Sequence, residues 1–448
     1  MFILLAMSEK KKIYKPNPVS GFPEWLPEER MVEQQWLDHI RRVFESYGFA
    51  SIETPAVEEL NVIAAKGEDV DKEIYVIERL QKEEGDKKEA RLALHFDQTV
   101  PFARYVAMHF NDLVFPFKRY QMQKVWRGER PQMGRMREFY QCDIDVINVD
   151  SLPISFDAEV AAICYEALEA LEIGKVQLRI SNRKILLGLL EDLSIQDSTE
   201  VLRAIDKLEK IGVEEVRKLL EKTDAKGFEN LIIKLSQIKV RSSKELKENL
   251  DSIKEEIIAQ TYIEGIEELQ FVLDQLSHLP EHAVVADLSI VRGLDYYTGT
   301  VYETQLLDVP EFTGSVCSGG RYDDLAGNYI NKKLPGVGIS IGFSRLFDVL
   351  RQTGKIQPSA KSPAHVFMIL PEEETRQRAA ETARILRQRG YNVEQHHAPQ
   401  KINKQLSQAE KKGIAYVWLP FADGHKVKNL QTGEQVDADP NSWEMDDE

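Results

Sequence analysis

Four separated stretches of the chain contain residues that could do chemistry, and three of them combine arginine with glycine, aromatic or acidic residues in a way that suits a polyphosphate ligand. They are His95–Pro101 (HFDQTVP), Arg127–Asp145 (RGERPQMGRMREFYQCDID), Arg292–Gly299 (RGLDYYTG), and Gly319–Asp323 (GGRYD) with Gly336–Arg345 (GVGISIGFSR). Arginine offers a planar, permanently charged fork that matches phosphate oxygens, and glycine allows the backbone to approach a ligand closely. A single arginine is more often part of a surface ion pair, but its repetition in these clusters favours a polyphosphate site.

The same clusters contain groups that could recognise other parts of a ligand. The arginines that could meet phosphate are Arg127, Arg135, Arg292 and Arg345. Phe139 could provide a stacking face for a base. The carboxylates of Asp97 and Asp145 could hold a cationic amine and a ring N–H. These residue types therefore predict a nucleotide site with an amine-binding site beside it.

A basic run lies between Lys118 and Arg137, where Glu129 is the only acidic residue. Its basic members are Lys118, Arg119, Lys124, Arg127, Arg130, Arg135 and Arg137. The net charge of −16 argues against a general nucleic-acid binder, although a local patch of this kind can still bind RNA. From the residues alone, a solvated surface and an RNA-binding loop both remain open.

Several other readings of the sequence are unfavourable. Gly336-x-Gly338-x-x-x-Gly342 lacks the spacing and the strand–loop–helix context of a dinucleotide fingerprint. His396 and His397 have no further ligands nearby, so we expect no metal site there. The 3 cysteines are far apart and predict no disulfide framework. The apolar start is too short for a membrane span and lacks signal-peptide features, so we expect a cytoplasmic protein without a membrane anchor.

The elements that must position the clusters follow from periodicity. Apolar residues at Ile40, Val43, Phe44 and Tyr47 predict a helix that ends at Gly48, followed by a strand over 49–54. Two strands, Arg119–Val125 and Phe139–Val146, flank the Pro-Gly-bearing loop of the basic run. A second amphipathic helix is predicted over 156–171.

The composition changes over 195–280, which is rich in Leu, Ile, Glu and Lys at helical spacing and predicts a separate helical module. Strand signals return at Ala283–Leu288, Gly299–Gln305 and Gly338–Ile341. Beyond Lys361-Ser362-Pro363, strands and helices alternate as His365–Leu370, Thr375–Arg389, Tyr391–Glu394, Asn403–Lys412 and Ile414–Leu419. This alternation predicts a compact α/β domain with a parallel sheet.

The four clusters resemble the signatures of class II aminoacyl-tRNA synthetases, and the chain is similar over nearly its whole length to the histidyl-tRNA synthetase family. The RGERP segment with Phe139 resembles motif 2, Gly338–Arg345 resembles motif 3, and the helix and strand before Pro55 resemble motif 1, the dimer-forming element. RGLDYYTG and GGRYD are distinctive of the histidine family. The resemblance implies ATP-dependent activation of L-histidine to histidyl-adenylate and its transfer to tRNA(His), with Mg²⁺ accompanying ATP and no resident metal.

The resemblance also implies roles for individual residues. It assigns catalysis to Arg292 and Arg127, and tRNA binding to Arg130, Arg135 and Arg137. The residues implied to bind ATP are Arg127, Glu129, Arg135, Phe139 and Arg345. The residues implied to bind histidine are Asp97, Thr99, Arg127, Gln141, Asp145, Arg292, Tyr296 and Tyr297.

The fold implied is α+β: an antiparallel class II sheet with flanking helices, a helical insertion, and a C-terminal α/β anticodon-binding domain. The implied boundaries are 1–194 and 281–360 for the catalytic domain, 195–280 for the insertion, and 361–448 for the anticodon-binding domain. The family also implies a homodimer.

Three other functions account for part of the sequence. A synthetase-like regulatory subunit would bind histidine without charging tRNA, but such relatives typically lack the C-terminal domain. A class II synthetase for threonine, proline or glycine does not account for RGLDYYTG, and a pure RNA-binding module would not need Asp97 and Asp145. The chain departs from the family pattern at Gln98, Ser318 and Ser344, and the segment 19–25 has no interpretation from sequence.

Overall fold

The computed structural model of the protein describes residues 14–63, 72–80, 91–253, 257–291, 297–327, 329–358 and 360–446. The chain divides into two compact units. One contains Asp38–Lys355 with the segment that ends at Glu24, and the other contains Trp25–Leu37 and the chain from Ile356 onward. Among the described residues, no helix is long and apolar enough to cross a membrane.

The first elements confirm the predicted helix but shorten the predicted strand. Helix α1 (Pro27–Ser46) buries Ile40 and Phe44, and the chain leaves it through Gly48, whose φ of 77° is in the left-handed region that glycine tolerates. Strand β1 is only Ala50–Ser51. The elements that follow are β2 (Val57–Glu59), α2 (Leu60–Ile63), β3 (Val76–Ile77), β4 (Leu92–Leu94) and α3 (Thr99–Met108). Strands β2, β4 and β3 form a small antiparallel sheet of their own.

A 9-stranded sheet is the centre of the larger unit. Its further strands are β5 (Phe117–Trp126), β6 (Glu138–Ile147), β7 (Val176–Asn182), β8 (Lys239–Val240), β9 (Val284–Asp287), β10 (Tyr297–Leu306), β11 (Cys317–Tyr322) and β12 (Gly336–Ile341). The strand order is β1-β5-β6-β12-β11-β10-β7-β9-β8, and all pairs are antiparallel except β1 with β5 and β7 with β9. The predicted strands around the basic loop are confirmed, each slightly longer than expected.

Helices flank this sheet as the apolar periodicity indicates. Helix α4 (Ser155–Glu169) confirms the second amphipathic helix, and α12 (Phe343–Gln352) follows β12 directly. Between β7 and β9 the chain is mostly helical. These helices are α5 (Arg183–Asp192), α6 (Ser198–Ile205), α7 (Leu208–Ile211), α8 (Val213–Leu220), α9 (Glu229–Ser236), α10 (Ser243–Asp251) and α11 (Gln260–Gln275). This stretch also contributes β8, which pairs antiparallel with β9 at the edge of the sheet.

The second unit has a 5-stranded sheet in the order β14-β13-β15-β16-β17. Its elements are β13 (Val366–Met368), α13 (Arg376–Gln388), β14 (Val393–Gln395), α14 (Ile402–Lys412), β15 (Tyr416–Phe421), β16 (Gly424–Asn429) and β17 (Gln435–Asp437). Strands β14, β13 and β15 are parallel, which confirms the expected strand–helix alternation. The antiparallel strands β16 and β17 were not predicted.

Candidate functional site

The β5–β6 hairpin positions the basic loop. The two strands pair from Phe117 with Ile147 up to Trp126 with Glu138. The loop then continues the hairpin through its own backbone, because the Arg127 N–H donates to the carbonyl of Arg137 at 2.9 Å. At its tip Gln132 and Arg135 exchange two backbone hydrogen bonds, of 3.1 and 2.8 Å. The loop arginines therefore extend from an ordered turn.

Two other segments support this loop. The carbonyl of Gly21 accepts hydrogen bonds from the backbone N–H groups of Arg137 (2.8 Å) and Glu138 (3.2 Å). Gly21 has φ 84°, and a Cβ there would lie 2.8 Å from the Arg137 side chain, so only glycine fits. On another side, the Gly128 N–H donates to the carbonyl of Glu73 at 2.8 Å. The part of the 19–25 segment that lies in this unit therefore supports the loop.

All five residues predicted to bind ATP line one pocket. These are Arg127, Glu129, Arg135, Phe139 and Arg345. The remaining wall comes from the loop tip, from β6, and from the strand and helix ends around β11 and β12, with Gly134, Met136, Gln141, Ser315, Val316, Cys317, Ser318, Ser340 and Gly342. The five side chains therefore share one pocket surface.

The charges of the pocket favour an anion. Arg345 is held by backbone carbonyls: its Nε donates to Gly134 at 2.9 Å and its Nη1 to Ser315 at 3.0 Å. Burial, followed by the neighbouring charges of Arg127 and Arg135, lowers the pKa of the Arg345 guanidinium. The carboxylate of Glu129 lies 3.9 Å from Arg135 and opposes this effect. Three arginines that repel one another around a pocket are stabilised by a negatively charged ligand.

Arg127, which lines this pocket, contacts two aromatic rings. Its guanidinium carbon is 4.4 Å from the centroid of the Phe96 ring and 5.2 Å from that of Phe139. Its Nε donates to the carbonyl of Phe96 at 3.2 Å. These contacts restrict the side chain, so its charge is directed into the pocket before any ligand binds.

Strand β6 connects the pocket to a buried polar cluster. Phe139, Gln141, Asp143 and Asp145 occupy alternate positions on one face of the strand. Gln141, next to the pocket, donates from Nε2 to the Ser340 hydroxyl at 2.6 Å. At about 3.4 Å per residue, Phe139 and Asp145 are roughly 20 Å apart along the strand. The face is long enough for two adjoining ligands.

Asp145 is held at the far end of this row. Its Oδ1 accepts a hydrogen bond from the Tyr322 hydroxyl at 3.1 Å, and its Oδ2 forms an ion pair with Arg119. Gly338 makes room for the carboxylate, since a Cβ at that position would lie 2.1 Å from Oδ1. Burial raises the pKa of Asp145 to about 6, against the opposing effects of Arg119 and Tyr322.

The other residues predicted to bind the amino acid lie around this cluster or outside the described residues. Asp97 is buried, and its Oδ1 accepts from the Val100 N–H at 3.1 Å at the start of α3, where Thr99 is half-buried. Tyr297 opens β10 and pairs in register with Tyr322 of β11. Arg292 and Tyr296 lie outside the described residues, so the structure does not place them.

The residues predicted to meet tRNA differ in exposure. Arg130 and Arg135 are exposed on the loop. Arg137 is half-buried and donates from Nε to the carbonyl of Glu129 at 3.1 Å, so this side chain also stabilises the loop itself.

Two of the three departures from the family pattern, Gln98 and Ser344, make local hydrogen bonds. Gln98 is fully buried and donates from Nε2 to the carbonyls of Gln123 (3.0 Å) and Gln141 (3.1 Å). The Ser344 hydroxyl accepts from the Tyr140 N–H at 2.9 Å. Ser318 is exposed and lines the pocket.

The sequence did not predict that Arg119 pairs with Asp145, because Arg119 is only one of seven basic residues in the run between Lys118 and Arg137. It also gave no role to Tyr322, Asp143 or Ser340. Burial raises the pKa of Asp143 to about 7, although Arg119 and the Ser340 hydroxyl act in the opposite direction. Alternation along the two predicted strands could have placed Arg119 on a shared face with Asp145, but only if their register had been known.

A mainly antiparallel sheet with an arginine-lined pocket between motif 2 and motif 3 is the catalytic architecture of class II aminoacyl-tRNA synthetases. Comparison with known proteins identifies the family. The family model described as histidyl-tRNA synthetase matches residues 21–346. The chain belongs to the histidyl-tRNA synthetase family.

Individual relatives agree with this assignment. A protein of Thermobifida fusca named histidine–tRNA ligase is 54% identical over 441 residues, covering 98% of this chain and 100% of that protein. The crystal structure of histidyl-tRNA synthetase from Nostoc sp. PCC 7120 superposes with a TM-score of 0.86 at 41% identity, covering 95% of this chain and 97% of that one. A structure from Bacillus halodurans, described as an ATP phosphoribosyltransferase regulatory subunit/histidyl-tRNA synthetase, has a TM-score of 0.71 at 22% identity and shares the fold.

Proposed function

We propose that this protein is a histidine–tRNA ligase that activates L-histidine with ATP and transfers the histidyl group to the 3′ end of tRNA(His). The observation that carries the proposal is the continuous face of β6, which runs from the arginine-lined pocket at Phe139 to the buried carboxylate of Asp145. A nucleotide and a cationic amino acid bound along this face would meet near Gln141.

In the first step, a histidine carboxylate oxygen attacks the α-phosphorus of ATP, and the bond to the bridging oxygen breaks to release pyrophosphate. Negative charge on the phosphoryl oxygens would be stabilised by Arg127, while Arg135 and Arg345 hold the β- and γ-phosphates. Phe139 and Glu129 contact the adenine. Because the arginines are preorganised by backbone carbonyls and aromatic rings, catalysis consists mainly of positioning and electrostatic stabilisation.

In the second step, the terminal ribose hydroxyl of tRNA attacks the acyl carbon and AMP leaves. From the family resemblance, Arg292 completes the charge around the α-phosphate and the histidine carboxylate. Tyr296 completes the ring pocket with Tyr297 and Asp145. The α-amino group is assigned to Asp97, Thr99 and Gln141.

Magnesium would enter with ATP. Within the described part of the chain, no group of three or more His, Cys, Asp or Glu residues could hold a metal ion. Glu129 is the only carboxylate among the described residues that line the pocket, and Mg²⁺ is commonly bound by one or two carboxylates together with substrate phosphates. The donor set therefore fits a metal that is carried mainly by the phosphates.

The remaining parts of the chain are assigned to tRNA binding and assembly. We assign 195–280 as the helical insertion within the catalytic domain (1–194 and 281–360), and 361–448 as the anticodon-binding domain. Exposed lysines that could contact phosphate lie just before helix α14, at Lys401, and on it, at Lys404 and Lys411. The reaction is placed in the cytoplasm, which the free thiols of Cys142, Cys164 and Cys317 favour.

A homodimer is supported by an apolar face on the small sheet. Val57 is 36% exposed and Leu92 is 46% exposed, and the pairing of β2, β4 and β3 puts both on one face with Ile77 and with the exposed Glu59 opposite Leu92. The opposite face is covered by the cluster around Ile63 and Phe96. An exposed apolar face of this kind fits a second copy of the chain.

The test of the proposed function is histidine-dependent exchange of labelled pyrophosphate into ATP, followed by charging of tRNA(His). Exchange with histidine and none with threonine, proline or glycine is the expected result. A protein that binds histidine but catalyses no exchange would instead be a regulatory relative.

Reversing the charge of Arg130 should weaken tRNA binding with little effect on histidine. Arg130→Glu removes an exposed cation from the loop, and each lost phosphate contact reduces the salt dependence of binding by about one in log–log slope. We expect the KM for tRNA to rise roughly tenfold or more while the KM for histidine stays within about twofold. Arg130→Lys, which keeps the charge, should restore tRNA binding. Equal changes in both KM values would contradict the assignment.

A further inference from the structure

The side chain of Arg119 is fully buried, unlike those of the other arginines in the basic run. It lies on β5 directly opposite Asp145 of β6. Its guanidinium carbon is 4.4 Å from the centroid of the Phe102 ring, and one terminal nitrogen forms the ion pair with Asp145. Burying the Arg119 guanidinium costs desolvation free energy, which its pairing with Asp145 must offset.

The local charge is not balanced by Arg119 alone. The carboxylates of Asp97, Asp143 and Asp145 are each less than 10% exposed. Among the described residues, Nε and Nη1 of Arg119 and Oδ1 of Asp143 have no hydrogen-bond partner. A purely structural ion pair would be expected to satisfy these groups. Because three carboxylates surround one guanidinium, the arrangement suits a polar ligand that carries positive charge and also offers an acceptor to the Arg119 N–H groups.

We propose that Arg119 is a positioning residue for recognition of the substrate ring, because it holds the Asp145 carboxylate ionised and in a fixed orientation. The inference rests on the proposed function, in which Asp145 accepts the ring N–H of histidine. Arg119 fixes Oδ2 and the Tyr322 hydroxyl fixes Oδ1, so the carboxylate cannot rotate freely above Gly338.

Ionisation matters because a neutral carboxyl is a weaker acceptor for the ring N–H. Four charged or titratable groups face Asp145 from the surrounding elements: Arg119 on β5, Tyr322 on β11, Asp97 before α3, and Asp143 on the same strand. Burial and Asp97 raise the pKa of the Asp145 carboxyl, and Arg119 and Tyr322 lower it. Removing the Arg119 charge should therefore raise this pKa further, towards neutral pH.

The test compares Arg119→Met and Arg119→Lys with the wild type in histidine-dependent pyrophosphate exchange. The assay covers about pH 5.5 to 8.5, a range that includes the unperturbed imidazole pKa of about 6.5. We expect Arg119→Met to raise the KM for histidine about tenfold or more at pH 7, with the KM for ATP within about twofold. The acid limb of kcat/KM for histidine should move upward by about one pH unit. Arg119→Lys keeps the charge and should restore the position of the limb.

The titration of the free histidine ring is common to all variants, so it does not produce a difference between them. Lys118→Met is the matched control. Lys118 is the neighbouring cation on β5, points to the other face of the strand, and bonds to the Tyr47 carbonyl at 2.9 Å. This variant should leave both KM values and the acid limb unchanged.

Melting temperatures of the variants show whether a change in the histidine KM comes from lost positioning or from partial unfolding. If Arg119→Met does not fold, Arg119→Met/Asp143→Asn removes one of the excess buried carboxylates, and its acid limb should lie at higher pH than that of Asp143→Asn alone. A folded Arg119 variant with an unchanged histidine KM and acid limb would overturn the inference. Equal increases in the histidine and ATP KM values would also overturn it. Absence of exchange in the wild type would instead refute the proposed function.

Discussion

Arg127→Met should lower the rate of histidine-dependent pyrophosphate exchange by about 10²–10³ while the protein stays folded. The guanidinium contacts the Phe96 and Phe139 rings and lines the pocket next to the start of β6. Methionine keeps the apolar contact with both rings and removes the charge. In the proposed mechanism this charge stabilises the transition state for attack at the α-phosphorus, so kcat should fall more than either KM rises.

Lys124→Met is the matched control for this prediction. Lys124 lies on the same hairpin and pairs with Glu138 at 2.5 Å, but it is not part of the pocket wall. Its replacement should change the exchange rate by less than about threefold, because the pair is partly exposed and lies outside the pocket. An Arg127→Met protein with a wild-type melting temperature and a wild-type exchange rate would show that Arg127 has no catalytic function.

Arg321→Leu should reduce the free energy of unfolding of the larger unit by about 3–5 kcal/mol, because the buried Asp157 charge is left without its partner. Arg321 donates to both oxygens of Asp157, at 3.1 and 2.6 Å, and to the carbonyls of Leu152 and Pro153 at 3.1 and 3.2 Å. These bonds tie β11 to the start of α4. Asp157 is fully buried, and burial raises its pKa while Arg321 lowers it.

Chemical denaturation of the full chain, followed by tryptophan fluorescence and far-UV circular dichroism, would measure this loss. The double variant Arg321→Leu/Asp157→Asn should recover part of it, because removing both charges is less costly than removing one. Arg203→Leu is the surface control, since Arg203 and Glu200 are 64% and 51% exposed and their pair should contribute less than about 1 kcal/mol. A loss in Arg321→Leu no greater than in this control would contradict the prediction.

Local sequence patterns predicted much of the fold. Helix α1, the β5–β6 hairpin, helix α4 and the parallel part of the C-terminal sheet all follow from periodicity and from turn residues, because one buried face imposes its own repeat on a helix or strand. The strand after α1 is an instructive error. Six residues were expected, but only Ala50–Ser51 pair with β5, since a strand extends only as far as a partner is available.

Strands whose existence depends on distant partners could not be predicted in this way. Strand β8 is two residues within a helical stretch and forms because the edge of β9 is available to it. Strands β16 and β17 extend the second sheet beyond the strand–helix alternation that the sequence pattern indicates. The local sequence pattern of a short edge strand does not show which distant strand it will pair with.

Residue types and motifs were enough to predict the chemical groups of the site, namely the arginines, the aromatic ring of Phe139 and the carboxylates of Asp97 and Asp145. Tertiary structure decided which of them share a surface. Register places Arg119 opposite Asp145 and sets Gly338 beneath its carboxylate, and the Gly21 segment supports the loop from a distant part of the chain. The physical reason is that burial, and with it the cost of a charge and the pKa of a carboxyl, depends on every element packed around a residue and not on its neighbours in sequence.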